Sequence, residues 1–453
     1  MTGNALVSII MFSWIPIVLY IFTRYPAQKA IIISFIVAWL FLPVVRFDIP
    51  GLPDYTKMAA TCYGVLLATV IFDANRFRSF RPSWIDLPML LWCTAAPFMS
   101  SVTNDLGAYD GFSTALAQVV AWGAPYFLGR LYLNNLAALK QMAIAIFIGG
   151  LVYVPFCLFE NRTFSPLSTL VYGLNADFDF LQAIRYGGFR PIVFLDTGLM
   201  LAVWLLTANI MGIVLWKTGL VKKLWNVPIG ILMTILLTTF VLARSTGALM
   251  LLVLGAAMLF TAWRFRTNVL IWLMVVGICT YLYVGVAGTF PNKQIVAAAS
   301  QAFNEERVGS MKFRFDNEEI LGAKARQRPV FGWGGYNRNR VFDEFGKDIT
   351  ITDSLWIIAF GINGVFGLVS LFAAIIFPVL SFCIRYPARL WSNPHVAPAA
   401  GLAVCIALYM LDCLLNAMTN PIFMFVAGGL AGVSLQPRKV PVVQQRRQFA
   451  GAQ

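Results

Sequence analysis

Histidine is almost missing from this chain. The single one, His395, lies in a short polar loop. A histidine-based metal centre and a Ser-His-Asp triad are therefore not expected. Charge is scarce too: 12% of residues are charged, against roughly a quarter in a soluble domain. Metal-ligand spacing is absent among the seven cysteines, Cys62, Cys93, Cys157, Cys279, Cys383, Cys405 and Cys413. All fall in or at the ends of apolar runs, so they are expected as small buried apolar residues with no disulfide framework. Phosphate-binding P-loops and dinucleotide fingerprints need a strand–turn–helix setting, and none is present. ATP-driven transport and nucleotide-sugar chemistry thus have no visible site. Any substrate has to arrive already energised, at the outer leaflet of a membrane.

What the chain has is apolar length. Its 453 residues are 59% apolar, with a mean hydropathy of +0.75. Runs of about 20 apolar residues, long enough to cross a ~30 Å hydrocarbon core as a helix, recur throughout. Lipid requires internal backbone hydrogen bonding, so the runs are read as helices. About thirteen are expected, over 5–23, 28–46, 57–73, 86–104, 112–130, 137–159, 194–216, 227–243, 246–263, 268–287, 353–382, 396–415 and 421–435. The fold class is an all-α polytopic membrane protein with about 12–14 transmembrane helices.

The net charge of +14 does not indicate a nucleic-acid partner. Its basic residues sit in alternate short loops: Arg24 and Lys29; Arg76, Arg78 and Arg81; Arg130 and Lys140; Lys217, Lys222 and Lys223; Arg264 and Arg266; Arg385 and Arg389. Arg438, Lys439, Arg446 and Arg447 follow in the tail. This is the positive-inside pattern, and it assigns those segments to the cytoplasm. The first span has no preceding Lys or Arg, so it is expected to stay uncleaved with the N-terminus outside. The organisation is then helices over 1–159, an outer loop over 160–193, helices over 194–287, a large outer loop over 288–352, helices over 353–435 and a cytoplasmic tail over 436–453.

In this topology Arg244 stands at the outer end of a helical hairpin, in V-L-A-R-S-T-G-A-L-M, with Ser245, Thr246 and Gly247 forming a tight turn. One role for it is to snorkel at the lipid interface. The loop over 288–352 carries ten Lys/Arg and eight Asp/Glu. Its middle, M-K-F-R-F-D-N-E-E-I-L-G-A-K-A-R-Q-R-P, reads as an amphipathic helix stopped by Pro329. Arg314 near its start has Glu318 four residues on, the spacing of a structural ion pair. Gly332, Gly334 and Gly335 permit a tight turn or a close approach to a ligand. Asp353 and Ser354 stand at the mouth of the next span, where Asp353 would serve as an N-cap.

The order of these features resembles the O-antigen ligase/polymerase superfamily of polytopic glycosyltransferases. A-R-S-T-G places Arg244 at the family's arginine. Arg314 precedes P-V-F-G-W-G, which stands for P-x-x-G-x-G. D-S-L-W-I-I-A-F-G-I-N-G stands for the His-Asn stretch ending G-x-x-G, with Gly361 and Gly364. D-C-L-L-N-A-M-T-N-P-I-F, residues 412–423, resembles the penultimate outer turn. F-R-P-I-V-F-L-D-T-G, residues 189–198, resembles an outer-loop entry to a span, with Arg190 a further contact. One departure matters: ligases of the family carry histidine where this chain has Asp353. That favours a polymerase-like member and leaves the identity of the base open.

The resemblance implies a GT-C-like glycosyltransferase of the bacterial inner membrane. It would join undecaprenyl-pyrophosphate-linked oligosaccharide repeats at the periplasmic face into O-antigen, capsule or exopolysaccharide. Arg244 and Arg314 would hold the lipid pyrophosphate leaving group, because arginine offers planar, permanently charged, bidentate donors. Asp353 would take the acceptor's proton, with Asp412 in reserve. Arg190, Arg185, Arg338 and Arg340 are further candidates for phosphate or sugar contacts. No metal and no cofactor are expected. The partners implied are glycan donor and acceptor, membrane lipid, and a flippase and chain-length regulator of the same pathway. Trp333, Tyr336 and Trp356 are available either to stack on sugars or to sit in an interfacial belt. The alternatives are a ligase that moves glycan to another acceptor, and a flippase or transporter. A transporter predicts inverted repeats and broken helices near mid-membrane, and no internal repeat is visible.

Overall fold

The computed structural model describes residues 3–49, 51, 53–174, 183–185, 187–301 and 305–437. All thirteen apolar runs are helical over most of their length. Among the described residues, seven helices are long and apolar enough to cross a membrane: Ala5–Arg24, Trp84–Val102, Leu136–Thr163, Gly198–Lys217, Thr246–Phe265, Val269–Ala287 and Leu355–Arg385. Five shorter apolar helices, Ala27–Phe41, Lys57–Phe72, Ile229–Leu242, Ala397–Asp412 and Pro421–Leu435, pack among them. The thirteenth run is a composite: Gly107–Gln118 and Ala124–Tyr132 are α-helical, and Val119–Gly123 between them is a π-turn. Strand is confined to two short hairpins among the described residues. The chain is an all-α, multi-pass membrane protein.

Gly198–Lys217 is the central post, with 89% of its apolar window buried. It is apolar all round, as a helix surrounded by other helices must be. Val269–Ala287 stands at the rim, only 22% buried, and its Cys279 is exposed. That corrects the expectation of seven buried cysteines, since a rim helix turns apolar residues to lipid as well as to protein. Small residues allow the closest crossing. At Gly428 an added Cβ would lie 2.0 Å from the carbonyl oxygen of Tyr126, so Pro421–Leu435 and Ala124–Tyr132 touch backbone to backbone.

The connections fall at two ends of the bundle. At one end are the short basic loops. Arg130, read from sequence as a topogenic charge, is buried there. Its Nε donates to Asp86 Oδ1 at 2.7 Å, because a cation that folds under neighbouring helices has to find a counter-charge. The basic tail residues Arg438, Lys439, Arg446 and Arg447 lie outside the described residues. The other end gathers the loops that hold Arg190, Arg244, Arg314, Asp353 and Asp412, and the candidate site is built there.

Candidate active site

The turn at Arg244 is shorter than the sequence suggests. Helix Ile229–Leu242 ends, Ala243 caps it, and Thr246 already begins the next helix with Ser245 as N-cap. Gly247 is inside that helix. Arg244 itself bears the reversal, with φ +53°. The left-handed position after a helix usually falls to glycine, and a side chain there costs about 1–2 kcal/mol. An arginine kept at this position needs a use. Its Nη1 donates to the carbonyl of Arg185 at 2.7 Å, and its guanidinium lies flat against Gly188, where a Cβ would come within 2.1 Å of Nη2. The hairpin Ile184–Arg185/Gly188–Phe189 thus carries Arg185 to Arg244.

Arg190 follows the hairpin and is 8% exposed. Its Nη2 reaches Ser245 Oγ at 3.5 Å, and its stem packs on Gly198 at the start of the central post. Its Nε makes no hydrogen bond among the described residues. Its pKa is pulled down to about 10, by burial first and then by the charges of Arg185 and Arg314, with only Asp412 opposing them. The group stays protonated at neutral pH, but in a field short of anions.

Arg314 projects from the Glu305–Ala325 helix, and its Nε lies 3.9 Å from Asp353 Oδ2. The expected Arg314–Glu318 pair is therefore not the main contact of either residue. Glu318 accepts from Ser354 Oγ at 2.6 Å, Trp356 Nε1 at 3.1 Å and Tyr281 Oη at 2.8 Å. Burial raises the pKa of its carboxyl, while these three donors and the charge of Arg314 oppose the rise. Nor is Asp353 an N-cap. Helix Leu355–Arg385 starts one residue later than that role needs, with Ser354 at the cap position. Asp353 is left 42% exposed beside Arg314. The Leu355 amide donates to the carbonyl of Cys413 at 3.1 Å, which brings the mouth of this span to Asp412. Asp412 is 9% exposed and accepts from Asn416 Nδ2 at 2.9 Å, and its Oδ2 makes no hydrogen bond among the described residues.

Four arginines (185, 190, 244 and 314) and two aspartates (353 and 412) thus converge from five segments of chain. Helices beginning at Gly198, Thr246 and Leu355 also turn their positive ends toward this region. Two sequence candidates go elsewhere. Arg338 donates to the carbonyl of Asn104 at 2.8 Å. Arg340 pairs with Asp348 at 2.6 Å and reaches Thr352 Oγ1 at 3.5 Å, which leaves it at the edge.

The glycine motif has a different use from the one expected. Its close approach is to the chain's own backbone, not to a ligand. Leu355–Arg385 is broken at Gly364, with φ +66° and ψ −167°. Segment 329–334 lies in the break. The Trp333 and Gly334 amides donate to the carbonyls of Gly361 and Ile362 at 2.9 and 3.0 Å, and the Val365 and Phe366 amides donate to those of Pro329 and Val330 at 2.8 and 3.2 Å. P-V-F-G-W-G and G-I-N-G are two halves of one joint. The joint fixes the angle at which the mouth of the span meets the Arg314 helix.

Sequence reading missed two residues. Glu318 was read only as a partner for Arg314. Glu160 was not singled out at all. It is wholly buried at the end of Leu136–Thr163 and accepts from the amides of Leu167, Ile192 and Val193 at 2.5, 2.7 and 2.9 Å. It holds in place the loop that carries Arg190, in which Val193 has a φ of +60°. The only sequence signal was a lone carboxylate at the end of an apolar run. Glu160→Gln replaces an acceptor-only group with one that also donates, so at least one amide loses its partner, at about 1–3 kcal/mol. Faster hydrogen exchange at residues 192–194 is expected, together with weaker retention of anionic ligand. Unchanged exchange there would refute the anchoring role.

No curated protein matches the chain. Residues 231–372 match the family model described as O-antigen ligase, which supports the chain's place in the O-antigen ligase/polymerase superfamily.

Proposed function

We propose that the chain is a glycosyltransferase that polymerises undecaprenyl-pyrophosphate-linked oligosaccharide repeats at the outer face of the bacterial inner membrane, with its N-terminus outside and its C-terminus cytoplasmic. The observation that carries this reading is the buried Arg190 held among like charges. Four arginines face two aspartates, and the nearby Glu318 is already taken up by three donors, so the cluster is left positive. A lipid pyrophosphate, with concentrated negative charge and paired oxygens, is the complement of such a cluster.

Reaction would proceed by attack of an acceptor hydroxyl on the anomeric carbon of the donor. The bond from that carbon to the pyrophosphate oxygen breaks, and its electron pair stays on the pyrophosphate. Arg244 and Arg314 stabilise the growing charge, with Arg185 and Arg190 behind them. The hydroxyl proton passes to Asp353, which is exposed enough for an acceptor to reach and stands beside Arg314. In-line displacement inverts the anomeric configuration. Asp412, buried beside Arg190, serves as a second carboxylate of the pocket. Arg338 and Arg340, held by Asn104 and Asp348, stand apart from the cluster and take no part in this step.

A flippase or transporter is the less suitable reading. Transporters leave the broken-helix backbone open to their cargo. The break at Gly364 is filled by residues 329–334, which take up its free amides and carbonyls. A ligase that delivers glycan to a different acceptor would use the same cluster, and the product separates the two. Purified protein given undecaprenyl-pyrophosphate-linked repeats is expected to yield a ladder on a gel, and Asp353→Asn is expected to lower the rate about 100-fold or more. A single addition would favour the ligase. Full activity in Asp353→Asn would move the base to another residue.

A further inference from the structure

A second cavity, of about 960 Å³, opens at the same end of the bundle as the arginine cluster. It lies between the Lys57–Phe72 helix, the Gly107–Gln118 helix and the start of Pro421–Leu435. Its size is at the upper end of the range for small-ligand sites, ~300–1,000 Å³. Nothing in the transfer step described above uses it.

Its charge differs from that of the cluster. Arg46, Asp48 and Asp54 stand on its wall, one cation against two carboxylates. A second pyrophosphate is not what such a wall selects. Of the four aromatic residues that line it, three are exposed: Tyr109, Phe112 and Tyr336, at 81%, 67% and 76%. Tyr336 is fixed in position. Its backbone is left-handed, with φ +59°, and its hydroxyl donates to the buried Asp110 at 2.7 Å. The phenol is occupied behind the ring while the ring face stays available. Hydroxyls of Thr56 and Ser113 lie on the same wall. Exposed ring faces, hydroxyls and carboxylates without a cationic excess suit the C–H faces and hydroxyls of neutral sugars.

The cavity is mechanically joined to the cluster. Lys57 is buried just beneath it, and its Nζ donates to the carbonyls of Trp39 at 3.1 Å and Phe194 at 3.3 Å. Trp39 lines the cavity, and Phe194 belongs to the loop that carries Arg190. Thr419, on the opposite wall, lies in the connection that leaves Asp412.

We propose that this cavity, lined by Tyr109, Phe112 and Tyr336 beside the arginine cluster, holds a neutral stretch of glycan, several sugars of the chain that accepts the transferred unit. The inference rests on the glycosyltransferase reading for the identity of that glycan, and it adds a place to hold it apart from the lipid pyrophosphate. Such a place keeps a growing chain near the site between additions.

The test uses the full chain in lipid nanodiscs and, as probe, repeat-unit oligosaccharide freed from its lipid pyrophosphate by mild acid. Saturation-transfer NMR measures binding to wild type, to Arg244→Ala and to the double variant Tyr109→Ala/Phe112→Ala. Both rings are exposed, so the double variant should fold, and thermal unfolding checks that it does. Wild type and Arg244→Ala are expected to bind alike, and the double variant about tenfold more weakly. With lipid-linked substrate, the double variant is expected to give shorter products than wild type. Equal binding by wild type and the double variant, or no binding by wild type, overturns the proposal. So does a ladder of unchanged length. Binding that depends on the rings in a protein that transfers nothing would overturn the glycosyltransferase reading instead, and leave the saccharide cavity standing.

Discussion

Arg314→Ala and Arg244→Ala are each expected to lower glycan transfer by about 100- to 1,000-fold, the usual cost of removing one fixed donor from a developing oxyanion. The effect should fall on the rate of transfer more than on retention of the donor lipid, because charge on the leaving oxygen grows as the bond to the sugar breaks. Lysine should rescue only in part at either position. It keeps the charge but loses the planar fork that meets two oxygens together. Arg244 allows a control that separates function from folding. It occupies a left-handed backbone position, φ +53°, that glycine adopts without steric cost. Arg244→Gly is therefore expected to match wild type in thermal stability and to be as inactive as Arg244→Ala. If Arg244→Gly unfolded early, the arginine would be a structural strut between the hairpin and the turn, and the catalytic assignment would fail.

The second large effect is on folding. Gly364 has φ +66° and ψ −167°, a region essentially restricted to glycine, where another residue costs about 1–3 kcal/mol from the backbone alone. A Cβ there would also lie 2.2 Å from the carbonyl oxygen of Val330. Gly332 is its counterpart, with φ +70° and a Cβ position 2.4 Å from the carbonyl oxygen of Ile362. Gly364→Ala and Gly332→Ala are each expected to separate segment 329–334 from the broken helix. The free amides and carbonyls of the break would then be buried without partners, a further cost beyond the backbone strain. Thermal unfolding in detergent should show a strongly lowered midpoint or no folded protein. By contrast, Gly335→Ala meets nothing within 4 Å and should be tolerated. A stable, active Gly364→Ala would mean that the joint bends freely, and that it does not set the angle between Arg314 and Asp353.

Thirteen apolar runs became helices because apolar length facing lipid leaves the backbone one way to satisfy itself. The motif order that resembled a family was also visible, since it needs only residue type and spacing. Arg244 was placed at a turn for the same reason. Its shape was misjudged, because Ser245 takes the N-cap position and the second helix starts at Thr246.

Partner choice was beyond the sequence. Glu318 lies at helical spacing from Arg314, yet three donors from two other segments take its carboxylate. Asp353 had the look of a cap and is a free-standing carboxylate beside Arg314. The glycines looked ready for a ligand and close instead on the chain's own backbone. Arg190 gave no hint of burial, and Glu160, which anchors its loop, gave almost none of importance. Each of these outcomes depends on contacts between residues far apart in the chain, which leave no periodicity in the sequence.

The sequence by itself determined that this is a multi-pass helical membrane protein, and where its helices run, because hydrophobic length is a local property. Only the tertiary structure decided which four arginines and two aspartates lie near one another. Charges are brought together by packing, and in a low-dielectric setting their mutual field depends on distances that no spacing in the chain encodes.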